Sequence, residues 1–399
     1  MVKGSCDSDT DSCKLCARLK CFRITSEGAK TDMTKLHTLA RTGQAIWFDY
    51  IRRSLVTSGE LQSLIDQGVR GITSNPTIFE KAIAGSADYD SDLSDLARKG
   101  MSVEGIYEEL ALTDIAMAAD RFRPVYDETG GADGYVSIEV SPELAYDTDE
   151  TVREARRLFS ALGRPNIMIK VPATREGVPA IETLIGEGIN VNVTLLFSVE
   201  RYEEVALAYL SGLEKLSSSG GSLGRTASVA SFFVSRVDTA LDPELEKRSL
   251  GDLAGKIAVA NAKVAYALFQ KLFSGERWQR LERQGARVQR LLWASTGTKN
   301  PQYPDTLYVD ELIGPHTVNT LPPATLKAYL DHGKTEDVLG RGIDGANEQI
   351  GRLARAGIDL KAVTERLQKD GVELFAASFR SLLESIESKR QGIASGGSR

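Results

Sequence analysis

The sequence of 399 residues contains very little cysteine, no long hydrophobic run and no excess of basic residues. Its only cysteines are Cys6, Cys13, Cys16 and Cys21, so any folded core in the rest of the chain lacks them. Cys13 and Cys16 form a C-x-x-C pair, a spacing that suits a zinc site or a disulfide. Such short motifs often arise by chance, and a reactive tail is the simpler interpretation. We therefore expect chemistry that does not use cysteine.

The absence of long apolar runs and of basic excess excludes several classes of protein. No apolar stretch approaches the roughly 18–20 residues that a membrane helix needs. The N-terminus is polar and rich in Asp, unlike a signal peptide, and too acidic for a transit peptide. The net charge of −6 gives no general attraction to nucleic acid or anionic membranes. These features predict a cytoplasmic protein without nucleic-acid or membrane partners, in which an anionic ligand would need a local basic site.

Short apolar runs alternate with longer amphipathic segments over most of the chain. Residues 1–33 lack this pattern, and we expect a disordered or flexible extension there, followed by one domain over residues 34–393. The runs predicted as strands are Ala45–Tyr50, Val69–Ser74, Tyr135–Val140, Asn166–Val171, Asn190–Phe197, Ser228–Val234, Val288–Ser295 and Thr317–Leu321.

The alternation of strands and helices predicts a parallel α/β sheet. Eight strands spread over this length favour a (β/α)8 TIM barrel with additional helices. A doubly wound open sheet would instead need a Gly-rich turn after the first strand, where Asp49–Arg52 stands. Extra helices are predicted over about residues 85–131 and about residues 342–391. We expect the second group to pack on the outside of the barrel.

A lysine lies within the apolar fourth run, at Lys170. Because burial removes hydration, it favours the neutral amine, which is the nucleophilic form of the side chain. The structural alternative is a lysine that pairs with a buried carboxylate or extends to solvent. Either way, its position at the end of a predicted barrel strand is where catalytic groups of such barrels lie.

Two carboxylates occupy comparable positions. Glu139 shares a strand face with Ser137, and could relay protons or act only as the counter-ion of Lys170. Asp49 ends the first strand, where it could transfer protons or cap the following helix.

Polar side chains also interrupt the second and fifth strands. Asn190, Asn192 and Thr194 share one face, and buried polar groups need partners. A polyhydroxylated ligand would supply them, and so would a polar layer within the barrel. Asn75, before Pro76, suits a helix start or a contact at the barrel mouth.

A basic cluster follows the sixth and seventh strands. Arg236 comes after the sixth strand, while Ser295 and Lys299 follow the seventh. Such residues suit a phosphate at the mouth of a barrel, although Lys299 could equally be a solvated surface charge. Together these residues favour imine chemistry on a phosphorylated sugar or polyol.

Six segments of the sequence resemble the transaldolase family, especially its longer bacterial form. The resemblance runs from about Leu39 to Leu330, and matches in this order are specific. The segments are GITSNPTIFEKAI (71–83), VSIEVSPELAYDT (136–148), IMIKVPAT (167–174), GINVNVTLLFS (188–198), SVASFFVSRVD (228–238) and LLWASTGTKNP (291–301).

The resemblance implies roles for individual residues. Lys170 matches the Schiff-base lysine, Asp49 the acid/base aspartate, and Glu139 with Thr194 the pair that holds the catalytic water. The residues that match substrate contacts are Asn75, Asn192, Ser231, Phe233, Arg236 and Ser295. Shorter relatives have Ser-x-Arg where this chain has Ser295–Gly297, and Lys299 could supply the missing cation.

The resemblance also implies an activity in the pentose phosphate pathway. A dihydroxyacetone unit would pass between sedoheptulose 7-phosphate and fructose 6-phosphate, with glyceraldehyde 3-phosphate and erythrose 4-phosphate as aldehydes. The implied partners are phosphorylated ketoses and aldoses, no cofactor or metal is expected, and homo-oligomerisation is left open. The similar fructose-6-phosphate aldolases carry glutamine and tyrosine where this chain has Glu139 and Phe233, which favours transaldolase. A simple aldolase and a non-catalytic scaffold are the alternatives.

Overall fold

The structure, a computed structural model, describes residues 33–396, with side chains up to residue 392. The predicted extension, apart from Met33, and its four cysteines lie outside the described residues. None of the helices between residues 33 and 396 is long and apolar enough to cross a membrane.

Eight parallel strands form a closed barrel in sequence order. The barrel closes where the first and last strands pair, with Gln44 beside Thr317 and Phe48 beside Leu321. This confirms the predicted (β/α)8 barrel with additional helices. The strands are β1 Gln44–Phe48, β2 Val69–Ile72, β3 Tyr135–Glu139, β4 Ile167–Pro172, β5 Val191–Leu196, β6 Ser228–Phe233, β7 Arg290–Ala294 and β8 Thr317–Leu321.

The helices surround the barrel and cover its ends. They are α1 Lys35–Thr42, α2 Arg53–Thr57, α3 Glu60–Asp66, α4 Pro76–Ala84, α5 Asp90–Arg98, α6 Val103–Glu128, α7 Thr148–Leu162, α8 Gly177–Gly186, α9 Val199–Ser218, α10 Ser235–Lys247, α11 Ile257–Leu272, α12 Glu276–Glu282, α13 Leu307–Asp310, α14 Pro323–His332, α15 Ile343–Arg355 and α16 Leu360–Gly396.

Local sequence signals set the bounds of these elements. Each predicted strand agrees with its observed bounds to within two residues. Helix starts carry side chains that accept from free backbone N–H groups, as Asp147 does before α7 and Ser198 does before α9. Helix α7 ends at Gly163, whose left-handed backbone (φ 58°) favours glycine. Helices α5 and α6 occupy most of the stretch predicted as a helical insertion.

The last helix lies over the carboxyl ends of the strands, and the expectation that this region packs only on the outside is wrong for α16. The Gln368 amide donates hydrogen bonds to the carbonyl oxygens of Ala173, at 2.6 Å, and Leu195, at 3.1 Å. Gly371 permits this approach, since a Cβ atom there would lie 2.9 Å from Leu195 Cδ2. Helix α15 does pack outside, against α11.

Candidate active site

A cavity of about 520 Å³ opens at the carboxyl ends of the strands. We call it the front cavity. Nine of the predicted site residues line it, namely Asp49, Asn75, Lys170, Thr194, Ser231, Phe233, Arg236, Ser295 and Lys299. Glu139 and Asn192 do not line it and contact its residues from behind. Barrel geometry thus brings together side chains from seven strand ends that are far apart in sequence.

Lys170 lies near the end of β4 and is only 5% exposed. Its Nζ atom donates a hydrogen bond to the Ser74 carbonyl oxygen at 2.9 Å and lies 3.2 Å from Glu139 Oε2. The ring of Phe375, on α16, has its centroid 5.9 Å from the same Nζ. The amine therefore meets one carboxylate, one carbonyl and an apolar ring, and reaches the cavity without open hydration.

Glu139 is buried beside Lys170, with 8% of its surface exposed. Neither of its carboxylate oxygens accepts a well-aligned hydrogen bond, since Lys170 Nζ is directed at the Ser74 carbonyl. Burial raises the pKa of the Glu139 carboxyl, and the nearby Lys170 only partly offsets this effect. A carboxyl in this environment can accept a proton from Lys170 and return it, because the charged and neutral pairs are closer in energy than in water.

Asp49 follows β1 directly and faces the front cavity. The Thr73 hydroxyl donates to Asp49 Oδ1 at 2.7 Å, and the Thr320 hydroxyl lies 2.7 Å from that of Thr73. Burial raises the pKa of Asp49, against the Thr73 hydrogen bond and the positive charge of Lys170 and other cations. Asp49 does not occupy the cap of α2, since that position is Arg52. Its environment suits proton transfer.

Asn190, just before β5, and Asn192 and Thr194, on β5, have different surroundings. Asn190 bonds only to backbone groups, whereas Asn192 donates to Ser137 Oγ at 3.0 Å and accepts from Ser231 Oγ at 2.6 Å. The Thr194 hydroxyl is buried, has no hydrogen-bond partner among residues 33–392, and lines the front cavity. Asn190 thus belongs to the barrel's polar layer, while Thr194 can bind water or a ligand.

Asn75 lies both at the start of α4 and at the barrel mouth, the two placements that its sequence position suited. Its Oδ1 atom accepts from the backbone N–H of Ile78 at 3.0 Å and so caps α4. The same residue also lines the front cavity. A capping bond fixes the side chain and leaves its amide N–H groups for another partner.

The predicted basic cluster lies together on one side of the front cavity. Arg236 stacks on Phe233, with 5.3 Å between the guanidinium carbon and the ring centroid, and forms no salt bridge with any described carboxylate. Burial lowers the pKa of the Arg236 guanidinium, which Asp49 partly offsets. Ser295 has a left-handed backbone (φ 56°), and its hydroxyl lies 3.0 Å from that of Ser235. An unpaired, half-buried guanidinium beside hydroxyl groups suits an anion such as phosphate.

Several lining residues were missed from the sequence. Thr73 stands two residues before Asn75 in a quoted segment, so its position offered a signal. Phe375 and Leu374 come from α16, and no local pattern indicates that this helix reaches the barrel mouth. Lys81 adds a further cation to the rim. Among described residues, no cluster of three or more His, Cys, Asp or Glu side chains could hold a metal ion.

Comparison with known proteins agrees with this geometry. The family described as Transaldolase/Fructose-6-phosphate aldolase matches residues 46–386. A protein named Transaldolase from Thermobifida fusca is 50% identical over 356 residues, which cover 88% of this chain and 97% of the relative. Transaldolase 2 from Nostoc punctiforme is 49% identical over 362 residues, covering 87% and 95%. Transaldolase from Neisseria gonorrhoeae is 49% identical over 354 residues, covering 89% and 100%.

Proposed function

The chain belongs to the transaldolase/fructose-6-phosphate aldolase family, and from this premise we propose that it transfers a dihydroxyacetone unit between phosphorylated sugars through an imine on Lys170. The observation that carries the proposal is the placement of Lys170. It is a buried lysine at the carboxyl end of a barrel strand, 3.2 Å from a buried carboxylate and beside a cavity that also holds Asp49 and Arg236.

The first step is attack of the Lys170 amine on the ketose carbonyl. Glu139 takes the ammonium proton, which frees the nitrogen lone pair to form the carbinolamine. Loss of water then gives an iminium, in which the nitrogen can accept an electron pair. Thr194 and Glu139 both have unmet hydrogen-bonding capacity close to this point, which supports their role in holding the released water.

Asp49 carries the second step. Asp49 accepts the proton of the hydroxyl group on the carbon that will be released as the aldehyde. The adjacent C–C bond then breaks, and the electron pair of that bond passes to the iminium to form an enamine. The first aldehyde leaves, and a second aldehyde accepts the enamine carbon while Asp49 returns the proton. The raised pKa of Asp49 supports this role, since such a carboxyl holds a proton more readily than a solvated one.

Substrate positioning falls to the rest of the front cavity. We assign the phosphate to Arg236 and Ser295, with Lys299 as a weaker contact. We assign substrate hydroxyls to Asn75, Asn192 and Ser231, with Phe233 supporting the Arg236 guanidinium. These contacts hold the ketose carbonyl near Lys170 without reacting themselves.

Transfer is favoured over release of the three-carbon unit. Fructose-6-phosphate aldolases resemble this chain but carry glutamine and tyrosine at the positions of Glu139 and Phe233. Sedoheptulose 7-phosphate and fructose 6-phosphate are the proposed donors, with erythrose 4-phosphate and glyceraldehyde 3-phosphate as acceptors. The pentose phosphate pathway and the cytoplasm are the setting that this assignment predicts.

The distinguishing assay supplies fructose 6-phosphate with and without erythrose 4-phosphate. We expect sedoheptulose 7-phosphate and glyceraldehyde 3-phosphate only when both sugars are present, and little free dihydroxyacetone from the donor alone. Equal release of dihydroxyacetone with and without acceptor would make the protein an aldolase. No conversion in either mixture would favour a scaffold. Lys170→Ala protein, which cannot form the proposed imine, is the negative control for both mixtures.

A further inference from the structure

A second cavity, of about 250 Å³, lies behind the carboxyl end of β3. We call it the rear cavity. Its walls come from β3, α4, α6, α7 and α16, and Asn75 is the one residue that lines both cavities. Lys170 lines only the front cavity, and Glu139 lines only the rear one. Glu139 therefore lies between the reactive amine and a space that only Asn75, among the proposed substrate-binding residues, also lines.

Glu139 is the inner end of the rear cavity. It is more than nine-tenths buried, and its one charged partner is Lys170, whose Nζ lies 3.2 Å from Oε2. Neither carboxylate oxygen accepts a well-aligned hydrogen bond from the described residues. A buried carboxyl without hydrogen bonds costs free energy unless water or a ligand supplies them. Glu139 and Asn75 supply polar groups to a lining that is otherwise largely apolar. The rear cavity has room for several waters, each of which needs about 10–15 Å³ of such volume.

The outer end of the rear cavity is acidic and reaches solvent. Glu104 and Glu143 are exposed there, while Glu108 and Glu154 lie further in and both bind Arg157. These four carboxylates share two nearby arginines, Arg157 and, for Glu104, Arg390, so the rim keeps an excess of negative charge. A negative rim repels sugar phosphates and leaves the opening to water.

Tyr107 lies along the path between the acidic rim and Glu139. Its ring packs edge-on against Phe79, at 6.1 Å, and Phe379, at 5.3 Å, which fixes its orientation. Burial raises the pKa of the Tyr107 phenol, and the carboxylates of Glu139, Glu108 and Glu154 raise it further. The phenol therefore stays protonated and can donate to a water or a carboxylate in the cavity.

We propose that the rear cavity is a water channel that serves Glu139 while substrate fills the front cavity, with Tyr107 as a positioning residue for the channel water. The proposal rests on the proposed imine chemistry. Glu139 holds the proton taken from the Lys170 ammonium and returns it when the carbinolamine loses its hydroxyl group, so iminium formation releases one water and needs no outside proton. Hydrolysis takes one water back. A bound sugar phosphate blocks the front cavity, so the rear cavity gives that water a separate route. The other charges that face Glu139 are Lys170 and Asp49, from the barrel.

The test follows the oxygen of the released water. Fructose 6-phosphate labelled with oxygen-18 at its carbonyl is incubated with the enzyme in ordinary water without acceptor, and the label lost is measured by mass spectrometry. The number of imines formed is counted in parallel by rapid quenching with borohydride. Free exchange through a channel predicts loss of label at nearly every imine formed, after subtraction of exchange without enzyme.

Ala111→Leu is the variant that fills the channel, because Ala111 lines the rear cavity from α6 and is absent from the front one. Label lost per imine should fall several-fold. Ala116→Leu, on the same helix but lining neither cavity, should behave as the unmodified protein. Should Ala111→Leu not fold, Ala111→Val adds one carbon atom fewer, and it should also lower the label lost per imine. If a folded Ala111 variant that forms imines lost as much label per imine as the unmodified protein, the proposal would be overturned.

Tyr107→Phe keeps the packed ring and removes only the phenol. We expect slower imine formation and a larger solvent deuterium isotope effect on it, with KM for fructose 6-phosphate unchanged. A purely structural Tyr107 would change neither rate nor isotope effect once folding is matched, and that result would remove it from the channel. Absence of any trapped imine in the unmodified protein would instead contradict the proposed function itself.

Discussion

The polar side chains at the two ends of β5 have different surroundings, and alternate residues around this strand show the change. At the lower end, Asn190 donates to the carbonyl oxygens of Pro165 and Ile167 and accepts from the backbone N–H of Ala227. Asn192, in the middle, bonds to two other side chains. At the upper end, the hydroxyl of Thr194 has no hydrogen-bond partner within the described part of the chain.

Charged groups follow the same division. At the lower end, Asp133 binds Arg290 at 2.9 Å and also accepts from the Trp47 indole at 3.1 Å. At the upper end, Arg236 has no salt bridge with a described residue, and burial raises the pKa of Asp49. Because an unpaired charge is costly to bury, we expect one to lie where a ligand will compensate it. The lower end therefore stabilises the barrel, and the upper end is where we expect function.

Among the changes to proposed substrate-binding residues, the largest expected effect comes from removing the unpaired cation at the upper end. Charged hydrogen bonds are typically worth about 1.5–3 kcal/mol, so Arg236→Ala should lower kcat/KM for phosphorylated substrates by roughly tenfold to a few hundredfold. Stability should change little, since no salt bridge is lost. Steady-state kinetics with fructose 6-phosphate measures the first effect. Equal losses with unphosphorylated dihydroxyacetone as donor would show that Arg236 is structural.

A matched pair on one strand tests the division itself. Asn190→Ala leaves buried backbone groups without partners and should reduce the free energy of unfolding by about 1–3 kcal/mol, with kcat of the folded protein unchanged. Thr194→Val removes a hydroxyl that bonds to nothing in the fold, so it should lower activity at unchanged stability. Urea denaturation and kinetics on both variants make the comparison. If the two variants lose stability equally, the proposed division is wrong.

A smaller effect on stability should depend on pH. The pKa of Asp49 is raised in the folded state, so its favourable contribution is complete below the ordinary carboxyl range and is lost as the pH rises through the raised value. Asp49→Asn should therefore be inactive yet more stable than the unmodified protein at neutral pH, with the gain fading in acid. The effect is modest because Thr73 and nearby cations compensate in part. A stability difference that grows as the pH falls would contradict the assignment.

Lys299→Ala should have the smallest effect. This lysine lines the front cavity but is exposed, and a solvated point charge contributes little. We expect kcat/KM for fructose 6-phosphate to fall by only a few-fold. A loss as large as that of Arg236→Ala would show that Lys299 fully replaces the arginine of shorter relatives.

The barrel could be predicted from the sequence because each strand carries its own local signal. Thr317–Leu321 has the predicted bounds, and the other strands differ by two residues or fewer. The polar residues near the strand ends were predicted to converge because parallel strands of a barrel end on one face. That argument needs the order of elements but no long-range contact.

Long-range packing could not be predicted in the same way. The apolar face of α16 is typical of any helix that packs on a barrel, so its sequence does not indicate the mouth as its target. Phe375 consequently reaches the ring of residues around Lys170 without a local signal. Asn190 and Thr194 share one strand face in the sequence, and only the neighbouring backbone decides which of them is satisfied.

The central claim is that Lys170, among all the lysines of the chain, forms the imine. The direct measurement is borohydride reduction in the presence of fructose 6-phosphate, followed by mass spectrometry of the proteolytic peptides. We expect one stable three-carbon adduct on the peptide that contains Lys170, and none in Lys170→Ala protein that remains folded. An adduct that persists in Lys170→Ala, or that maps to another lysine, would contradict the account.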